Sequence, residues 1–158
     1  MPISTFSKIK SVQKVNVSKP PNEIIMAGNR KVAEIFDTIF PVMKDGQCQT
    51  NSICIVEAMF EKGRYDWHIV PGFGFNPHYQ RFVRHVWVRN GSNHYDPTWS
   101  LKSLKWNVEK LTYFQAIHNF TTQPVESKND TQSRILDWGN EILNELNRFA
   151  ISNNINLK

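Results

Sequence analysis

The chain has 158 residues, of which 40% are hydrophobic and 12% aromatic, with ten Phe and five Trp; this is the composition of one globular domain with its own core. No apolar run reaches the roughly 20 residues of a membrane span and no signal-peptide stretch opens the chain, so a soluble, cytoplasmic protein is expected. The net charge of +5 gives weak attraction to anions, but Lys and Arg are scattered without the runs of a nucleic-acid module, so a nucleic-acid partner is not expected.

Residues 1–21 read as an extended arm ending in Pro20-Pro21, with an edge strand around Val12 to Val17. Asn22 is a candidate N-cap for the helix that follows, whose core face is spelled by Val32, Ile35, Phe36, Ile39 and Phe40 and which Pro41 stops. Gly28 weakens its first turns, so regular helix is expected from about Asn29. Asp45-Gly46 reads as a turn and Cys48 to Lys62 as a helix that is apolar on most sides, ended by Gly63. Tyr65 to Val70 alternates like a strand, with Pro71-Gly72 and Gly74 marking its exit. Phe82 to Arg89 and Ser92 to Pro97 form a hairpin around Asn90-Gly91, a favoured type I′ pair. Asn107 to Phe120 is expected to be helical, Thr121 to Asp130 a linker, and Thr131 to Ile151 an amphipathic helix with Ile135, Trp138, Ile142, Leu146 and Phe149 on its stripe. Residues 152–158 read as a frayed tail, leaving 22–151 as a single domain. The expected fold is α+β, a small antiparallel sheet packed on the Cys48 helix with further helices from both ends of the chain.

A two-residue turn at Asn90-Gly91 sets Arg89 opposite Ser92, Trp87 opposite His94 and His85 opposite Asp96. Alternation then puts His85, Trp87, His94 and Asp96 on one face, where a carboxylate reaches an imidazole N–H. A free thiol of pKa about 8.5 supplies little thiolate at neutral pH, and two devices lower that value: a helix N-terminus and an adjacent imidazolium. Cys48 opens its helix and has the first, and His85 oriented by Asp96 would supply the second. Cys54, deeper among apolar neighbours, reads as core filling. On one helix, at about 1.5 Å rise per residue, the two cysteine Cα atoms lie roughly 9 Å apart, beyond the roughly 7 Å of a disulfide, so both are expected as free thiols.

The set Gln47-Cys48-Gln49-Thr50-Asn51, His85-Val86-Trp87-Val88 and Asp96-Pro97-Thr98-Trp99 resembles the papain-like and transglutaminase-like cysteine superfamily, over about Met43 to Ser100. The resemblance implies thiol-dependent acyl transfer at an amide carbonyl, as in a peptidase, amidase, deamidase or transglutaminase. Cys48 would be the nucleophile, His85 the base and Asp96 its orienting partner. Gln47, with the Cys48 backbone N–H, stands as the oxyanion donor, although the papain branch draws its glutamine from several residues earlier. No cofactor is implied, since the acidic loop of calcium-using transglutaminases is missing.

Asn51, Trp87, Trp99 and Phe73, with Phe75, are candidates for the substrate groove, and His68 for its margin. Two other readings stay open. One is a non-catalytic binding module that keeps the fold and holds a protein or nucleic acid on a basic, aromatic surface. The other is a metal site of two histidines and a carboxylate at His85, His94 and Asp96.

Overall fold

The computed structural model describes residues 12–36, 42–116, 143–144 and 146–148. Its architecture is α+β. In chain order come β1 (Val12–Val15), β2 (Val17–Ser18), α1 (Asn22–Phe36), α2 (Cys48–Glu61), β3 (Trp67–Asn76), β4 (Arg81–Asn90), β5 (Asn93–Tyr95), a 3-10 turn (Val108–Lys110) and β6 (Tyr113–Ala116). The sheet order is β1-β6-β3-β4-β5-β2. Among the described residues only the β2–β5 pairing is parallel, so the sheet is mixed and larger than the small antiparallel one expected.

The two edge strands are consecutive in sequence, separated by Asn16 alone. In a flat sheet of six strands at a spacing of about 4.8 Å they would stand about 24 Å apart, far beyond the reach of one residue. The sheet is therefore curled. Its concave side holds Val17, Val70, Trp87, Trp99, Val108 and Tyr113 as one buried cluster.

Helix α2 packs on β4 and β3, where Ile53, Ile55, Val56 and Met59 meet Ile69, Val86 and Val88. Gly63, at φ 78°, ends it, and the Arg64 N–H turns back to the Met59 carbonyl at 2.9 Å. Helix α1 lies against α2 through Ile24, Ala27 and Val32 rather than through Ile35, which is exposed. Its first turn bonds to the Pro21 carbonyl, from Ile24 N–H at 3.0 Å and Ile25 N–H at 3.1 Å, which puts Pro21 and not Asn22 at the cap. Helical geometry runs through Gly28, because a Cβ there would sit 2.9 Å from Ile55 Cγ1 and from Met43 Sδ: the glycine lets the two helices meet. Ile39, Phe40 and Pro41 lie outside the described residues.

Two further expectations fail for a physical reason. Strand β3 continues past Val70 to Asn76, and its glycines mark close approach instead of an exit. A Cβ on Gly72 would fall 2.6 Å from Trp87 Cη2, and one on Gly74 would fall 2.5 Å from Trp99 Cζ3. The helix expected over 107–120 is, as far as residue 116, a short 3-10 turn and then strand β6, which pairs with both β1 and β3. Leu111 and Phe114 have helical spacing, but Thr112-Tyr113-Phe114 favours a strand, and sheet pairing outweighs the pattern. Of the helix expected over 131–151, residues 143–144 and 146–148 are described and helical, with Leu146 buried against the Phe73, Phe75, Phe82 and Phe114 cluster. The linker and the tail lie outside the described residues. Among the described residues no helix is long and apolar enough to cross a membrane.

Candidate active site

Cys48 is the first residue of α2, so the amides of the helix's first turn surround it. Beside that turn, strand β4 brings His85 and the Val86 N–H against the thiol. The hairpin return then delivers Asp96. His85 is 2% exposed and Asp96 is fully buried, with His85 Nε2 bonded to Asp96 Oδ2 at 2.7 Å. Because Nε2 is committed to Asp96, the imidazole meets Cys48 through Nδ1.

The route to that pair differs from the one the sequence suggests. The turn residues are Gly91 and Ser92, so Val88 faces Tyr95, Arg89 faces His94 and Asn90 faces Asn93. A type I′ turn at Asn90-Gly91 would need positive φ at both residues, and only Gly91, at 59°, has it. The register is thus displaced by two residues. A shift of two keeps every side chain on its face, so His85 and Asp96 still meet, diagonally instead of directly. Trp87 and His94 also meet, with the indole N–H donating to His94 Nδ1 at 2.9 Å.

Asp96 is the most heavily bonded group of the site. Its Oδ1 accepts the backbone N–H groups of Thr98 at 2.9 Å and Trp99 at 3.0 Å. Its Oδ2 accepts the hydroxyl of Tyr113 at 2.7 Å as well as His85. Tyr113 comes from β6, and its role was hidden by the helical spacing around it. Trp99 stacks on the His85 ring, centroids 3.8 Å apart and planes 14° apart, and Trp106 stands edge-on to Trp99 at 5.7 Å.

These surroundings set the charges. Burial on its own raises the Cys48 thiol, but the charge and hydrogen bond of His85 and the Val86 N–H outweigh it and hold the thiol below its ordinary value. Burial likewise lowers His85, yet Asp96 and Cys48 together raise it to about 10. The arrangement therefore favours a thiolate–imidazolium pair. Cys54 is the opposite case: burial first, then Glu57, pushes it up to about 11. Both cysteines are free thiols.

A cleft of about 750 Å³ opens over Cys48 and His85, with Trp99, Tyr79, Leu104 and Trp106 among its walls. Of the groove candidates, Trp99 lines it. Trp87, Phe73 and Phe75 are core residues that do not reach it: Trp87, on β4, is buried with Val70 and Tyr113, and β3 carries Phe73 and Phe75 straight through the stretch expected as its exit. Asn51 is buried and structural: its amide N–H groups donate to the Lys44 carbonyl at 2.8 Å and the Thr98 hydroxyl at 2.9 Å, tying the start of α2 to the Asp96 turn. Gln47 caps α2 with its backbone only; its side chain makes no capping bond, is exposed and is not part of the cleft wall. The first-turn amides of α2 are the donors that remain beside the thiol. His68 sits in β3 opposite Arg89 and is not part of the cleft wall. His94 is lowered to about 4 by burial and then Arg89, and it is bonded to Trp87. Among the described residues no three His, Cys, Asp or Glu side chains gather as a metal site.

Comparison with family models, with curated proteins and with solved structures finds no match for this chain.

Proposed function

We propose that the chain is a thiol-dependent acyl-transfer enzyme of the papain-like or transglutaminase-like kind, acting on the amide bond of a protein, peptide or small amide. The observation that carries the reading is the chain of hydrogen bonds from half-buried Cys48 through buried His85 to buried Asp96, opening on a cleft. In this reading the Cys48 thiolate adds to the carbonyl carbon, and the oxygen that becomes negative is met by the first-turn amides of α2. The His85 imidazolium gives its proton to the departing amine as the C–N bond breaks, leaving a thioester. Water or a second amine, deprotonated by His85, then attacks the thioester and the sulfur leaves as thiolate. Asp96 keeps the ring in the tautomer that can do both. Two free thiols fit a reducing compartment such as the cytoplasm.

An activated ester tests the reaction class without knowledge of the natural substrate. With p-nitrophenyl acetate, the expected result is release of nitrophenolate and an acetyl group mapped by mass to Cys48, both lost in Cys48→Ala. Acetylation spread over lysines, with no excess at Cys48, would leave only the binding-module reading.

A further inference from the structure

The cleft is larger than a small amide needs, and its walls are specific. Tyr79 is 64% exposed, yet the loop that carries it is pinned. The buried side chain of Asn76 accepts the His78 N–H at 2.8 Å and the Tyr79 N–H at 3.0 Å, and the Gln80 N–H closes on the Asn76 carbonyl at 2.8 Å. From a second loop come Leu104 and Trp106, the latter set perpendicular to the Trp99 that stacks on His85. Among the described residues only two that are not glycine have positive φ: Gln80 at 54° and Lys105 at 60°. The first follows Tyr79, and the second stands between Leu104 and Trp106. Backbone strain of this kind persists where the surrounding structure enforces it, and it clusters at sites that hold ligands. Here it marks both loops that bring apolar side chains to the cleft.

We propose that the cleft selects acyl donors with a large apolar or aromatic side chain next to the scissile carbonyl, held by Tyr79 from one loop and by Leu104 and Trp106 from the other. This deepens the thiol reading above and rests on it. A ring kept in water gains most by covering a flat or branched apolar group, through burial and through edge or stacking contacts. A substrate with glycine or a carboxylate at that position leaves the lips wet, and it should be taken poorly.

Matched chloromethyl ketones test this directly, because the thiolate forms a C–S bond as chloride leaves and no turnover substrate is needed. The probes are the N-acetyl chloromethyl ketones of Phe, Leu, Gly and Asp, each rate divided by that of the same reagent with free dithiothreitol, and the adduct mapped to Cys48. The Phe and Leu reagents are expected to inactivate about tenfold faster than the Gly and Asp reagents. The advantage should shrink in Tyr79→Ala, a surface change that leaves the fold intact, and be largely kept in Tyr79→Phe. A flat ranking, or a preference that survives Tyr79→Ala unchanged, overturns the proposal while Cys48 is still labelled. If neither these reagents nor iodoacetamide modify Cys48, the thiol reading fails and this proposal falls with it.

Discussion

The hydroxyl of Tyr113 donates to Oδ2 of Asp96 at 2.7 Å, the same oxygen that holds His85 Nε2 at 2.7 Å. Two donors on one oxygen share its charge, so Tyr113 competes with His85 for the carboxylate that stabilises the imidazolium. Tyr113→Phe keeps the ring and removes the competitor. The expected outcome is a Cys48 alkylation profile displaced to lower pH, with a loss of about 2 kcal/mol of stability from the missing bond to a buried carboxylate. A purely structural tyrosine would lower stability and leave the profile in place.

Asp96→Asn should act in the other direction. The amide can still accept the Thr98 and Trp99 N–H groups, but its NH₂ now faces His85. A neutral imidazole answers by accepting at Nε2 and keeping its proton on Nδ1, the tautomer that cannot take a proton from Cys48. Alkylation near neutral pH should fall at least about tenfold and the profile should rise toward the ordinary thiol value of about 8.5. Urea unfolding should show a loss of about 3 kcal/mol as well.

The pair also shapes stability against pH. His85 is raised on folding, so its contribution is full below the ordinary imidazole value of about 6.5 and is lost as pH rises through about 10. Cys48 is lowered, so its contribution is full above about 8.5 and is lost as pH falls through its folded value. Between these ordinary values the two changes oppose each other. Where both groups change charge on folding the two slopes cancel, and above about 8.5 only the His85 loss remains, so the pair's contribution is expected to fall toward base there. Comparing urea midpoints across pH for the native chain and Cys48→Ser isolates it. An identical dependence in both proteins would show that the pair is not charged.

Gly74→Ala probes the stacking of Trp99 on His85. The new Cβ would meet Trp99 Cζ3 at 2.5 Å, so the indole must move off the ring or the strand must shift. A loss of about 2 kcal/mol is expected, with slower alkylation of Cys48 as the imidazole loses its support. Unchanged stability would mean that the Trp99 side chain yields freely.

The sequence made the local chemistry of the site readable and left its supports hidden. Cys48 at a helix start follows from the turn before it, and the meeting of His85 with Asp96 follows from strand parity, which a two-residue slip of the hairpin does not change. The slip itself was not readable, because Asn90-Gly91 and Gly91-Ser92 are both acceptable turn pairs. Gly72 and Gly74 resemble punctuation until the indoles that need their bare faces are known, and those contacts are long-range. Tyr113 was obscured by apolar spacing that fits a helix and by a strand pairing that only the fold supplies. On α1 the helical spacing marks Val32 correctly, whereas the contacts of Ile24 and Ala27 depend on where α2 lies.

The central claim is that Cys48 is held as a thiolate by His85, and iodoacetamide labelling of the native protein, mapped by mass over a range of pH, tests it most directly. Selective modification of Cys48 below about pH 7, with Cys54 untouched and the low-pH reactivity abolished in His85→Ala, is the expected result. Slow and equal labelling of both cysteines, rising only toward the ordinary thiol range and unaffected by His85→Ala, would contradict it.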